Sequence, residues 1–281
     1  MSLPYTTRHA TDPTSSKHFT TAQLREHYLI ENLFVDNTIT CTYSFYDRLI
    51  IGGAKPVTKP LLLGTPDILK SGFFLERREI GIINIGGIGV IEADGEKFSL
   101  NNKEALYIGK GVKSVTFMPG EKNEAPPLYY YNSAPAHHAY PTKQVTLAQA
   151  ETVELGIFEN SNQRIIRKLL VNSILQTCQL QMGLTELKPG GVWNTMPPHT
   201  HDRRMEAYLY FDLPSNQVAC HFMGEPDETR HIWVQNQQAV ISPPWSIHAG
   251  AGTSHYSFIW GMAGENLDYG DMDVVQPMDL K

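Results

Sequence analysis

What limits the fold of this chain most is a repeat. Residues 73–79 (FFLERRE) lie on residues 199–206 (HTHDRRME) if one residue is skipped near the end, and residues 105–115 (ALYIGKGVKSV) lie on residues 239–249 (AVISPPWSIHA). A pattern recurring in this way marks two copies of one structural unit. Around the copies, short runs rich in β-branched and aromatic residues alternate with turn residues, as in EIGIINI, RIIRKLL, EAYLYFDL, VACHFM, HIWVQN and YSFIWGM. Many short strands at regular spacing predict sandwiches or barrels. Asp94-Gly95, between two such runs, predicts a tight hairpin turn. The stretch TTAQLREHYLIENLF differs: Thr20 and Gln23 make a capping box ahead of good helix formers, so a helix is expected there. A second short helix is expected at TLAQA (residues 146–150), inside an irregular Pro-rich connector.

The chain is long enough, at 281 residues, for a substantial core and for one or two domains. Its formal charge of −6 gives no basic footprint for nucleic acid or an anionic membrane. No apolar run approaches the ~18 residues of a membrane span, and the polar start MSLPYTTRHATDPTSSKHFT lacks the apolar centre of a secretory signal. Cys41, Cys178 and Cys220 are far apart, odd in number and without metal-type spacing. They read as reduced structural thiols, and a cytoplasmic protein is expected.

Chemistry concentrates in PPHTHDRRMEAYLYF, residues 197–211. Residues i and i+2 of a strand share a face, so His199 and His201 point the same way. Glu206 has the opposite parity, but a turn through Asp202-Arg203-Arg204 resets it, and Glu206 then shares a face with Tyr208 and Tyr210 on the returning strand. A fourth ligand is available at His248, in SPPWSIHAGAG. Imidazoles plus a carboxylate suit Zn, Fe, Mn, Co or Ni, with one or two positions left for water or substrate. In the first copy Phe73, Leu75 and Ser114 stand opposite His199, His201 and His248, with Glu79 near Glu206, so that copy keeps the scaffold without the site. Tyr208 and Trp245 are the candidates for contact with substrate. Arg164, Arg203, Arg204 and Arg230 are all available to a substrate carboxylate. His221, His231 and His255 read as structural histidines, and the sequence identifies neither a general base nor a role for His137-His138.

H-x-H-x4-E followed by P-x-W-x2-H resembles the two cupin motifs, with Trp245 where the second ordinarily has glycine. More specifically, FLERREIGIINIGG, NSAPAH, YPTK, WNTMPPHTHDRRMEAYLYFDLP, FMGEPDETRH and FIWGMAGEN together resemble the 5-keto-4-deoxyuronate isomerase family, nearly end to end. The resemblance implies an all-β (mainly β) fold of two cupin-like β-barrels (a bicupin, or double-stranded β-helix) with a short helical N-terminal extension. The extension would span residues 1–60, a first barrel without a metal site plus connector 61–160, and a second barrel with the site 161–281. It further implies a cytoplasmic, homohexameric isomerase of pectin degradation, acting on a small anionic keto-uronate. One Zn2+ per chain would sit on His199, His201, Glu206 and His248. The alternatives are a metal-dependent cupin dioxygenase and a non-catalytic sugar-binding cupin.

Overall fold

A computed structural model describes residues 2–281, and its regular structure is mostly short antiparallel strands. The chain forms two compact units. One gathers the segments up to Thr7, Asn32–Glu151 and Leu169–Met182, and the other gathers Arg8–Glu31, Thr152–Lys168 and Gly183–Lys281.

The first unit has a seven-stranded sheet in the order Thr6–Arg8, Ile39–Ser44, Ile50–Ala54, Tyr129–Pro135, Arg78–Asn84, Ala105–Ile108, Lys143–Val145. Its second sheet orders Leu61–Leu62, Val115–Phe117, Gly89–Ala93 and Glu96–Leu100. The second unit repeats the scheme. Its larger sheet runs Glu151–Leu155, Arg164–Leu170, Gln181–Leu187, Ser257–Gly264, Arg204–Phe211, Gln238–Ser242, Leu29–Ile30, and its smaller one Trp193–Asn194, Ala249–Gly252, Ala219–Glu225, Glu228–Val234. The fold is therefore mainly β, as the strand pattern predicts. Both ladders of each unit end at edge strands, so the strands described here form open sheets and no hydrogen-bonded closed barrel.

Register corrects the repeat in two places. Ile80 pairs with Ile108, and Glu206 pairs with Ser242. Since Ile108 lies on Ser242 in the repeat, Ile80 occupies the place of Glu206, and no residue is skipped. Glu79 faces the other way, where its carboxylate accepts the backbone N–H groups of Cys178, Gln179 and Leu180 and the Tyr107 hydroxyl, at 2.7–2.9 Å. Ser114 is exposed, with its N–H on the Asp94 carboxylate, whereas the next residue, Val115, is buried in the core. Val115 is therefore the inward-facing residue at that point. The interior of the first unit is apolar, with Ile80, Ile82, Leu106, Ile108, Phe117, Tyr129 and Tyr131 in one cluster. Among the described residues it holds no group of three or more His, Cys, Asp and Glu side chains that could hold a metal ion.

Local signals behave largely as expected. Asp94 (φ 45°) and Gly95 (φ 90°) join paired residues Ala93 and Glu96 in a two-residue hairpin, both central residues being left-handed. Thr20 and Gln23 exchange the reciprocal bonds of a capping box at the start of helix Thr21–Tyr28, which buries Leu24 and Tyr28 one turn apart. The helix stops sooner than expected. Leu29 and Ile30 instead pair with Val240 and Ala239 at a sheet edge, where both side chains are buried, and this gain exceeds a modest helix preference. Residues 146–150 form a turn closed by Thr146 and Gln149 instead of a helix.

Candidate metal centre and its cavity

The strand Arg204–Phe211 lies between Ser257–Gly264 and Gln238–Ser242, which places Glu206 between Met262 and Ser242. Two residues upstream of the strand the chain turns at Asp202-Arg203, and His199–Thr200 forms a short strand against Asp273–Val274. His248 ends the turn Pro243-Pro244-Trp245-Ser246-Ile247, immediately before strand Ala249–Gly252. These elements bring His199, His201, Glu206 and His248 together, each with one ligand atom within 4.8 Å of all the others. Among the described residues this is the one group of three or more His, Cys, Asp and Glu side chains that could hold a metal ion.

The donors are closely set. His248 Nε2 lies 2.9 Å from His199 Nε2 and 3.0 Å from Glu206 Oε2, and His201 Nε2 lies 3.2 Å from the same carboxylate oxygen. His201 Nδ1 lies 3.0 Å from the Arg204 carbonyl oxygen, a contact that fixes the ring and points Nε2 at the Glu206 carboxylate. A cation held among these four groups would take a lone pair from each. Three imidazole nitrogens and one carboxylate oxygen are a donor set that could hold a divalent metal ion. The backbone bond that fixes the His201 ring is the outer support that metal-binding histidines ordinarily have.

Burial and charge shape these groups. His201, Glu206 and His248 are almost inaccessible, and His199 is half-buried. Burial pushes the His199 imidazole down to about 3, with the neighbouring His248 adding to the effect. Burial alone would raise the carboxyl of Glu206. The charge of His248 and the hydrogen bonds from His201 and His248 outweigh it and hold Glu206 well below the usual carboxylate range. Glu206 is thus a carboxylate at neutral pH. Burial, and then the charge of Glu206, push the Tyr208 hydroxyl well above its ordinary value, so it stays a neutral donor.

A cavity of about 290 Å³ opens beside the quartet, with His199 and Glu206 in its wall. Leu155, Ile166, Trp260 and Met262 make much of the lining, and Thr185, Asn194, Thr195 and Tyr208 supply polar groups. Tyr208 is thus one of the polar groups of the wall. Trp245 does not line the cavity; its Nε1–H donates to the Thr11 carbonyl at 3.2 Å. Of the four arginines, Arg164 and Arg204 reach the wall. Arg203 pairs at the surface with Glu265, and Arg230 donates to the carbonyls of Lys17 and Phe19. His231 and His255 are exposed, while the buried His221 meets the Tyr210 hydroxyl at 2.8 Å. In the other unit, the Cys178 thiol meets the backbone of His138. Residues 268–274, which sequence reasoning missed, contribute Tyr269, Met272 and Val274 to the cavity. Arg204 holds them there: its guanidinium is fully buried and donates to the carbonyls of Asp268, Tyr269 and Asp271, a contact that no local sequence pattern shows.

The model of the KduI/IolB family matches residues 68–276. Over its whole length the chain is 56% identical to the 4-deoxy-L-threo-5-hexosulose-uronate ketol-isomerase of Formosa agariphila, all of which is covered. Among solved structures it resembles an IolB-like protein from Salmonella typhimurium (TM-score 0.66, 14% identity, 81% of this chain and 87% of that one). It also resembles the oxalate decarboxylase of Lactobacillus farciminis in its formate complex (TM-score 0.55, 9% identity, 81% and 79% covered). At these identities the structures show the fold alone, which is cupin-like.

Proposed function

The chain belongs to the KduI/IolB family, and on that premise we propose that it is a metal-dependent ketol isomerase. Its substrate pair is 5-dehydro-4-deoxy-D-glucuronate and 3-deoxy-D-glycero-2,5-hexodiulosonate. The observation that carries the reading is the placing of four convergent ligand groups, two of them in the wall of a mostly apolar cavity, in a chain 56% identical to a relative named for this activity.

A ketol isomerisation takes a proton from the hydroxyl-bearing carbon, passes through an enediolate and returns the proton to the neighbouring carbon. A divalent cation held by His199, His201, Glu206 and His248 would supply electrostatic stabilisation of the enediolate oxygens. The chain's own groups do the rest. Tyr208, two residues beyond Glu206 on the same strand face, offers its hydroxyl to a substrate oxygen. Leu155, Ile166 and Trp260 limit the water that reaches the reacting carbons. Arg204 holds residues 268–271 so that Tyr269 and Met272 complete the wall. Glu206, committed to the ligand set, is not the base.

We further read the metal as zinc, one ion per chain, and the pathway as cytoplasmic breakdown of pectin-derived unsaturated uronates by a hexameric enzyme. The two units are read as two cupin barrels, of which only the second keeps its ligands. The test is direct. Pure protein and the 4-deoxy-5-ketouronate are mixed and followed by NMR, with and without chelator, while dissolved oxygen is recorded. Conversion that stops with chelator and returns with zinc, without oxygen uptake, is expected. No conversion by metal-replete protein would refute the isomerase, and oxygen consumption would favour the dioxygenase.

A further inference from the structure

We infer that Arg164 selects a carboxylate-bearing substrate, gripping the carboxylate at the end of the carbon chain remote from the carbons held beside His199 and Glu206. The identity of the carboxylate rests on the isomerase reading. The existence of an anion subsite does not.

Arg164 opens the strand Arg164–Leu170, and period-two alternation places it on one face with Ile166; both residues line the cavity. One edge of the guanidinium is anchored, since Nη1 donates to the Asn162 carbonyl at 2.9 Å. No carboxylate answers its charge: among the described residues Arg164 makes no ion pair, and Glu206, the cavity's one carboxylate, is taken up by His201 and His248. The other arginine of the wall is largely committed: Arg204 is fully buried and its two terminal nitrogens donate to three backbone carbonyls, which leaves a single buried Nε–H and no fork for a carboxylate. Arg203 and Arg230 lie outside the cavity, each engaged elsewhere.

A partly desolvated cation among apolar side chains is unfavourable unless an anion joins it. Burial lowers Arg164 below the ordinary arginine value, and its electrostatic neighbours are the tyrosines Tyr208, Tyr269 and Tyr256. The guanidinium stays charged even so, and it presents N–H groups in a planar fork. That fork matches a carboxylate in two parallel bonds, which a lysine ammonium cannot do. In the keto-uronate the carboxylate and the aldehyde are at opposite ends. With the aldehyde end beside His199 and Glu206, an anchor elsewhere on the same wall fixes which end reacts. Asn194, with its side-chain Nδ2 buried and unpartnered in the same wall, is a second donor available to the bound chain.

The experiment uses metal-replete protein and the variants Arg164→Met, which removes the charge at similar length, and Arg164→Lys, which keeps the charge without the fork. Turnover of the keto-uronate should show KM raised about 100-fold in Arg164→Met, with kcat changed far less, and an intermediate KM in Arg164→Lys. Binding is measured separately by calorimetry with gluconate, an open-chain carboxylate that cannot isomerise in this way, and with glucitol, its neutral counterpart. Wild type should prefer gluconate by at least about tenfold, and Arg164→Met should lose that preference with metal content and circular dichroism unchanged. If wild type fails to turn over the keto-uronate yet shows the Arg164-dependent preference, the isomerase reading falls and the anion subsite stands. A folded Arg164→Met that keeps the preference, or a wild type that has none, overturns the inference.

Discussion

Replacing His248 by alanine tests the metal centre most severely, because that imidazole sits in the middle of the quartet. Its Nε2 is 2.9 Å from His199 Nε2 and 3.0 Å from Glu206 Oε2. Removal leaves three donors where there were four. Loss of an outer-shell partner alone ordinarily costs 10–100-fold in affinity or activity, so loss of a direct ligand should weaken metal binding by at least about 100-fold. If the ion is displaced, the stabilisation of the enediolate goes with it, a loss of about 3–4 kcal/mol or 10²–10³-fold in kcat. The cost to folding is of a different order. The ring is 1% exposed, so its truncation leaves a void worth about 2–3 kcal/mol, but it also relieves a second imidazole and leaves every strand ladder intact. A domain stable by about 5–15 kcal/mol survives that. Val115 is the matched control, being the buried inward-facing residue at the corresponding point of the first unit. Val115→Ala should cost about 1–2 kcal/mol and leave metal content and turnover unchanged. Elemental analysis, the NMR assay and thermal melts on both variants give the answer. A folded His248→Ala that keeps one equivalent of metal and turns over within about threefold of wild type would refute the assignment.

Glu79→Ala should destabilise the first unit by about 3–8 kcal/mol, since it orphans three backbone N–H groups and the Tyr107 hydroxyl; a loss below about 1 kcal/mol in a urea titration would contradict this. Gly183→Ala places a Cβ 2.2 Å from Trp260 Cζ2 and 2.5 Å from the Arg167 carbonyl oxygen. Trp260 must then move in the cavity wall, so altered tryptophan fluorescence, a raised KM and about 1–3 kcal/mol of lost stability are expected; unaltered fluorescence and KM would show that the wall accommodates the methyl group. Burial pushes the His221 imidazole down to about 3, below its unfolded value of about 6.5. Between those values the unfolded chain binds the extra proton, so the His221 contribution is complete above pH 6.5 and falls by about 1.4 kcal/mol per unit below it. Chemical denaturation from pH 7 to 4.5 should show that slope, and His221→Phe should reduce it; an equal slope in both would assign the loss to other groups.

Local rules made much of this protein legible before any coordinates. Alternation put Glu206, Tyr208 and Tyr210 on one face, the Asp202-Arg203 turn returned the chain, and the Asp94-Gly95 and Thr20–Gln23 signals set a hairpin and a helix start. Each depends on residues only a few positions apart, so sequence suffices. Pairing between distant strands could not be read that way. The ladder Ile80–Ile108 against Glu206–Ser242 fixed the repeat without a skipped residue, because a one-residue shift sends every side chain to the opposite face. The same holds for the cavity. Arg164, Asn194 and the pair Trp260 and Tyr269 come from three separate stretches of the chain and become one wall only through the order of the strands. Trp245, beside His248 in sequence, turns instead to Thr11. Sequence spacing named the groups that could bind a metal, whereas tertiary pairing decided which side chains a substrate would meet.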